Sequence, residues 1–193
     1  MSSLNPGKVE VEIKAWLDNR SELKKKVEKI AKLQEELSER DLYFTFADSQ
    51  GYQRKRFRLR QVGKCSIVTV KIPGVSDLGV EANREFEFEV SDPEAFKVFC
   101  QEFGMRTLIE KHKKVKRYSY NPDHKEFVYP VTIEINQVEN LGDFIELETL
   151  VDKDEHIPMA SAFLKSMLDR LGVPRSKIEP RAYTELLYKK VSP

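Results

Sequence analysis

The stretch KVEVEIKAW, residues 8–16, decides how the rest of the chain is read. At a period of two, Val9, Val11 and Ile13 fall on one side, and Lys8, Glu10, Glu12 and Lys14 fall on the other. That alternation predicts a half-buried strand whose charged side meets either water or a ligand. One strand does not choose between them, but others repeat the pattern. Asp41, Tyr43 and Thr45 alternate with Leu42, Phe44 and Phe46, and Arg54, Arg56, Arg58 and Arg60 share a face opposite Phe57 and Leu59. Glu85, Glu87 and Glu89 stand against Phe86 and Phe88, and Thr132, Glu134 and Asn136 against Ile133 and Ile135. Glu146 and Glu148 stand against Ile145 and Leu147. Lys71, Lys111 and Lys113 lie on more mixed faces, shared with Ile67, Ile109 and Val115.

Working outward, strands are expected at about 8–17, 41–47, 54–62, 65–72, 82–90, 107–121, 127–138 and 143–151. Gly63-Lys64, NPDHKE and ENLGD connect neighbours too briefly for anything but antiparallel pairing. NRSELKKKVEKIAKLQEEL, residues 19–37, reads as a helix with Leu23, Val27, Ile30 and Leu37 on one face and an Asn19/Glu22 capping box. A second helix follows Ser91 as N-cap, with Glu94 closing its box and Gly104 ending it. Its stripe of Ala95, Phe96, Phe99, Cys100 and Phe103 is assigned to the core. Residues 158–171 and PRAYTELLYKK complete the helices. This is an α+β chain, and eight antiparallel strands commonly close into a barrel.

The 193 residues suit one domain, residues 1–193. A net charge of +1 argues against a polybasic nucleic-acid or membrane-surface binder, yet 34% of residues are charged, so both signs are in use. Cys65 and Cys100 show no ligand spacing and read as small apolar residues in a reducing compartment. His112, His124 and His156 form no metal-ligand pair and are assigned to the surface or loops. No apolar segment suggests a signal or a membrane span, which predicts a cytoplasmic protein.

Whole strands of one sign are unusual for a wetted face, because like charges two apart repel unless something of opposite sign faces them. The spacing leaves open a solvated sheet and a charged tunnel. In a tunnel, carboxylates suit Mg²⁺ or Mn²⁺, and arginine and lysine suit phosphate oxygens.

Read in order, Glu10-x-Glu12-x-Lys14, DLYF, FRLR, TVKIP, REFEFEV, IEKHK, LGDFIELE and EPRAYTELL resemble the CYTH superfamily of triphosphate tunnel metalloenzymes. That superfamily includes class IV adenylyl cyclases, thiamine triphosphatases and inorganic triphosphatases. The resemblance implies a closed eight-stranded antiparallel tunnel with flanking helices. It implies Mg²⁺ or Mn²⁺ on Glu10, Glu12, Glu146 and Glu148, and a triphosphate held by Lys14, Arg58, Arg60, Lys71, Lys111 and Lys113. It places Lys14, Lys71 and Glu87 among the catalytic residues, with Glu85 beside Glu87, and leaves Arg84 out by parity. The expected partner is a small-molecule triphosphate (ATP, thiamine triphosphate or tripolyphosphate), not nucleic acid or membrane, with a homodimer left open. The expected reaction is conversion of ATP to cyclic AMP and pyrophosphate, the alternatives being terminal-phosphate hydrolysis or binding without catalysis. Three positions depart from the family pattern: Asn136 replaces an aspartate for which Glu134 can substitute, Lys113 replaces an arginine, and Ala182 replaces the serine before Tyr183.

Overall fold

The alternation at residues 8–16 becomes β1 (Val9–Trp16), whose apolar side chains are buried outside the sheet and whose charged ones face inward. A computed structural model describes residues 8–52, 57–74, 79–123 and 127–191. Arg54, Arg56 and His124 therefore lie outside the described residues. The remaining strands are β2 (Lys32–Phe46), β3 (Phe57–Val62), β4 (Cys65–Pro73), β5 (Val80–Glu89), β6 (Met105–Tyr120), β7 (Val131–Val138) and β8 (Gly142–Val151). They form a closed antiparallel barrel in the order β1-β5-β4-β3-β2-β6-β7-β8, with β8 returning to β1. Among the described residues four α-helices accompany it: α1 (Arg20–Val27), α2 (Pro93–Glu102), α3 (Ile157–Leu171) and α4 (Tyr183–Val191).

Closure depends on three separate packing jobs. α3, with α1 beneath it, lays Leu164, Met167 and Leu168 against Val11, Ile13, Ile133 and Leu147 on the outside of the barrel. α2 covers Leu42, Phe44, Leu59 and Val68. α4 packs Tyr183 and Leu186 against Phe144 and Val138, with Trp16 beside them, where β1 ends and β8 begins. The β3–β4 hairpin turns on Gly63, whose φ of +56° suits a residue without a Cβ. Among the described residues no helix is long and apolar enough to cross a membrane.

Several local expectations are corrected. The helix expected over 19–37 stops at Val27, and residues 32–40 extend β2 along β6 instead. The Glu/Lys run is a helix former by propensity, but the 16-residue β6 offers it a hydrogen-bonding edge and cations. Glu35 and Glu36 pair across the strands with Arg117 and Lys116, and Ile30, expected in a buried stripe, is exposed. The second helix is capped by Asp92, not Ser91: its carboxylate accepts from the amides of Glu94 and Ala95. Of its apolar stripe, Cys100 is buried and Phe96 half-buried, but Phe99 and Phe103 are exposed. Cys65 is also exposed, unlike Cys100, and both are free thiols. His112 is exposed on β6 and hydrogen-bonds Glu110, and His156 meets the Tyr129 hydroxyl at 2.7 Å.

The segment before α4 is stapled to the end of β1. Ile178 bridges Ala15, and the Glu179 amide donates to the Lys14 carbonyl at 2.9 Å. The buried Glu179 carboxylate accepts from Trp16 Nε1 at 3.0 Å and from Arg181 Nε and Nη2 at 2.7 and 2.6 Å. Hydrogen bonding from Arg181 lowers the Glu179 carboxyl to about 2, against the opposing effect of burial. A depressed carboxyl stabilises the fold above its unfolded value, and that contribution is lost as pH falls toward the folded one. Glu179→Gln should therefore cost about 1–3 kcal/mol near neutral pH. Urea unfolding of both proteins should show that difference shrinking below about pH 4.5.

Candidate functional site

The barrel encloses a cavity of about 890 Å³ lined by the inward side chains. Going round it, β7, β8, β1 and β5 form an acidic arc containing Glu134, Glu146, Glu148, Glu10, Glu12, Glu85 and Glu87. β4, β3 and β6 contribute Lys71, Arg58, Arg60, Lys111 and Lys113, while Lys14 adds a cation at the end of β1. Every residue expected to bind metal or triphosphate lines this one cavity. Arg84 does not: it pairs outside with Asp154 at 2.7 Å.

Strand register explains the pairing. Asp41 on β2 lies opposite Arg60 on β3 and Lys111 on β6. It accepts a two-pronged bond from Arg60 at 2.7 and 2.9 Å and meets Lys111 at 2.9 Å. Lys113 reaches Glu134 at 2.8 Å, Glu39 at 3.3 Å and Glu146 at 3.5 Å. Arg117, on the same face of β6, joins Glu134 at 2.8 Å to Glu39 at 3.2 Å. Lys71 sits among Glu10 at 2.7 Å, Glu12 at 3.8 Å and Glu85.

Other groups are less fully matched. Arg58 approaches Glu85 and Glu87 only to 3.9 and 3.8 Å, and its buried Nε has no hydrogen-bond partner among the described residues. Lys14 is 5% exposed, and among the described residues no carboxylate lies within 4.0 Å of its ammonium; the Tyr183 ring centroid is 4.8 Å away. Glu87 stands at the rim, 48% exposed, and accepts from Thr69 Oγ1 at 2.6 Å.

The carboxyls of the cavity shift in opposite directions according to what surrounds each. Burial opposes ionisation of Asp41 and Glu134, but Lys111 with Arg60, and Lys113 with Arg117, outweigh it and hold both carboxyls well below the usual range. At two other carboxyls of the acidic arc, Glu148 and Glu10, burial prevails. It pushes Glu148 up to about 7, helped by Glu12 and Glu134, and raises Glu10 well above the carboxylate range despite Lys71. Glu12 and Glu148 are direct cross-strand neighbours, so like charges meet there in register.

Asn136 is fully buried and donates to Glu146 at 2.6 Å and to Glu134 at 3.3 Å. An amide here ties two carboxylates together where an aspartate would repel them. Among the described residues, no three carboxylate, imidazole or thiol groups converge closely enough to enclose a metal ion. Lys71 draws Glu10 to itself, while Lys113 and Asn136 draw Glu146. The donor set still has the chemistry of a hard-cation site: crowded carboxylate oxygens, two of them with raised proton affinity.

The sequence reading missed four contributors. Glu39 was placed beyond a supposed helix end, although it continues the parity of Asp41. Asp41 itself was placed on the right face without a role, and Arg117 extends the spacing of Lys111 and Lys113. Tyr183 enters the cavity from α4, and no strand periodicity could reveal that.

Known proteins agree with this architecture. The adenylate cyclase CyaB of Aeromonas hydrophila is 25% identical over 156 residues, covering 79% of this chain and 73% of that one. The solved structure of the PH1819 protein from Pyrococcus horikoshii superposes with a TM-score of 0.75 at 27% identity, over 94% of this chain and 99% of that one. A Hippeastrum protein, HpAC1, shares the fold at 14% identity with a TM-score of 0.63, over 95% of each chain; its structure is described as revealing a dominant triphosphatase activity. The family model for the CYTH domain matches residues 8–183, nearly the whole chain, and the protein belongs to the CYTH family.

Proposed function

We propose that this chain is a metal-dependent enzyme that binds a nucleoside triphosphate in its tunnel and converts ATP to cyclic AMP and pyrophosphate. The observation that carries this reading is the division of one enclosed cavity into an acidic arc and a set of cations. The CYTH family consists of metal-dependent triphosphate tunnel proteins, and the cyclase name of the Aeromonas relative points to the lyase branch. A cavity of about 890 Å³ also has room for more than a bare phosphate chain.

Under this reading Lys14 and Arg58, the two cations least neutralised by the protein, grip phosphate oxygens directly. Lys71, Lys111 and Lys113 share theirs with the carboxylates that hold them in place. Arg60, locked onto Asp41 and Glu39, contributes field more than reach. Glu10, Glu12, Glu146 and Glu148 would hold Mg²⁺ or Mn²⁺, which when bound neutralises charge on the phosphate oxygens and lowers the barrier to displacement. Lys14 and Lys71 hold the chain of phosphates so that the ribose 3′-oxygen and the departing pyrophosphate are in line at the α-phosphorus. Glu87, at the rim beside Arg58, accepts the proton from the attacking hydroxyl.

Hydrolysis of the terminal phosphate of tripolyphosphate or thiamine triphosphate is the second reading. It is favoured by the triphosphatase activity described for the Hippeastrum protein of the same fold. Purified protein supplied with Mn²⁺ or Mg²⁺ and each of ATP, thiamine triphosphate and tripolyphosphate separates the two. Cyclic AMP with equimolar pyrophosphate supports the cyclase, orthophosphate the hydrolase, and heat of binding without product a sensor. No turnover and no binding would overturn the triphosphate reading altogether.

Lys14→Ala and Glu12→Gln should each lower kcat/KM by about 10²–10³-fold. Glu12→Gln also removes a like-charge neighbour of Glu148, so its thermal midpoint should hold or rise while activity falls. Full activity in both variants would remove these residues from the site. Asn136→Asp replaces a donor to Glu134 and Glu146 with a third carboxylate. Calorimetric titration should show Mn²⁺ binding tightened about tenfold or more, with lower metal-free stability. Unchanged affinity would place position 136 outside the metal's surroundings.

A further inference from the structure

Two lysines from strands that are not neighbours meet at one aromatic ring. Lys14 on β1 and Lys111 on β6 are separated by β7 and β8, yet their ammonium groups lie 4.8 and 5.1 Å from the centroid of Tyr183. Two like charges brought together away from water repel. The electron-rich face of a desolvated ring offsets that repulsion, since it attracts each cation without neutralising it. Lys111 also has Asp41 at 2.9 Å, whereas among the described residues no carboxylate lies within 4.0 Å of the Lys14 ammonium.

The ring is itself held from two directions. It packs edge-on against Phe144 at 4.8 Å, and Phe144 meets Trp16 at a tilt with centroids 4.1 Å apart. The segment leading to it is fastened to β1 at Lys14, Ala15 and Trp16, the last two contacts passing through Ile178 and Glu179. The same strand end therefore carries a cavity-lining lysine and anchors the segment that leads to the ring.

We propose that Tyr183 is a positioning residue of the tunnel: its ring holds Lys14 and Lys111 at a set spacing, so that together they take adjacent phosphate oxygens of a polyphosphate. This rests on the reading of the tunnel as a triphosphate site. The ring acts through the lysines and takes no part in bond making. Its hydroxyl, which faces Glu146 and is kept protonated by burial, is not required.

The test separates ring from hydroxyl and shape from charge. Tyr183→Phe should bind inorganic tripolyphosphate with Mg²⁺ within about twofold of wild type, whereas Tyr183→Leu should bind about tenfold or more weakly. A series of progressively fluorinated phenylalanines at position 183 keeps the packing and drains the ring face. Affinity should fall stepwise along it, and the ring-shifted ε-methylene resonances of Lys14 and Lys111 should persist in the Phe variant and move in the Leu variant. A flat fluorination series overturns the proposal, as does a Phe variant as weak as the Leu variant. If wild type shows ring-shifted lysines but binds no tripolyphosphate, the triphosphate reading fails and takes this role with it. If wild type binds and the fluorinated series is flat, only the role of the ring fails.

Discussion

Closing eight strands into a ring leaves the inward side chains little access to bulk water, so their charges must be satisfied within the ring or by what enters it. The protein meets part of that demand internally. Asp41 and Glu134 carry enough positive charge around them to stay ionised, and Lys113 stays protonated among three carboxylates. Breaking such a buried pair from one side typically costs about 3–5 kcal/mol, because the remaining charge is stranded. These residues hold the β2–β6–β7 side of the barrel as a fixed, charged wall.

The other side is not balanced in the same way. From Glu10 through Glu12 to Glu148 the carboxylates outnumber the cation beside them, Lys71, and burial raises the proton affinity of Glu10 and Glu148. Lys14 and the Nε of Arg58 have no carboxylate at bonding distance among the described residues. A cation and an anion arriving together would relieve both imbalances, which is the physical reason a metal-bound polyphosphate suits this cavity. The amide of Asn136 moves the boundary between the two regions by tying Glu146 to Glu134.

The helices make this possible by occupying the surfaces that the charges leave apolar. α3 and α2 cover the outside, so the strands' hydrophobic faces turn outward and their polar faces inward. α4 does something different at the end of the barrel, where its first residue joins the cavity wall. Its attachment through Glu179 links the position of a surface segment to the geometry around Lys14.

Period-two alternation in residues 8–16, 41–46, 57–60, 85–89 and 145–148 was enough to assign most strands, the faces of Glu10, Glu12, Lys14, Arg58, Glu146 and Glu148, and, with the short turns, antiparallel pairing. Those properties are local: they depend on where consecutive Cβ atoms point. Residues 32–37 were misread for the complementary reason, since Glu and Lys favour helix in isolation and only the long β6 edge turns them into strand. The exposure of Phe99 and Phe103, the partners of Glu39 and Arg117, and the meeting of Lys14, Lys111 and Tyr183 were likewise invisible along the chain. Each depends on distances between segments far apart in sequence, and those distances exist only once the ring has closed.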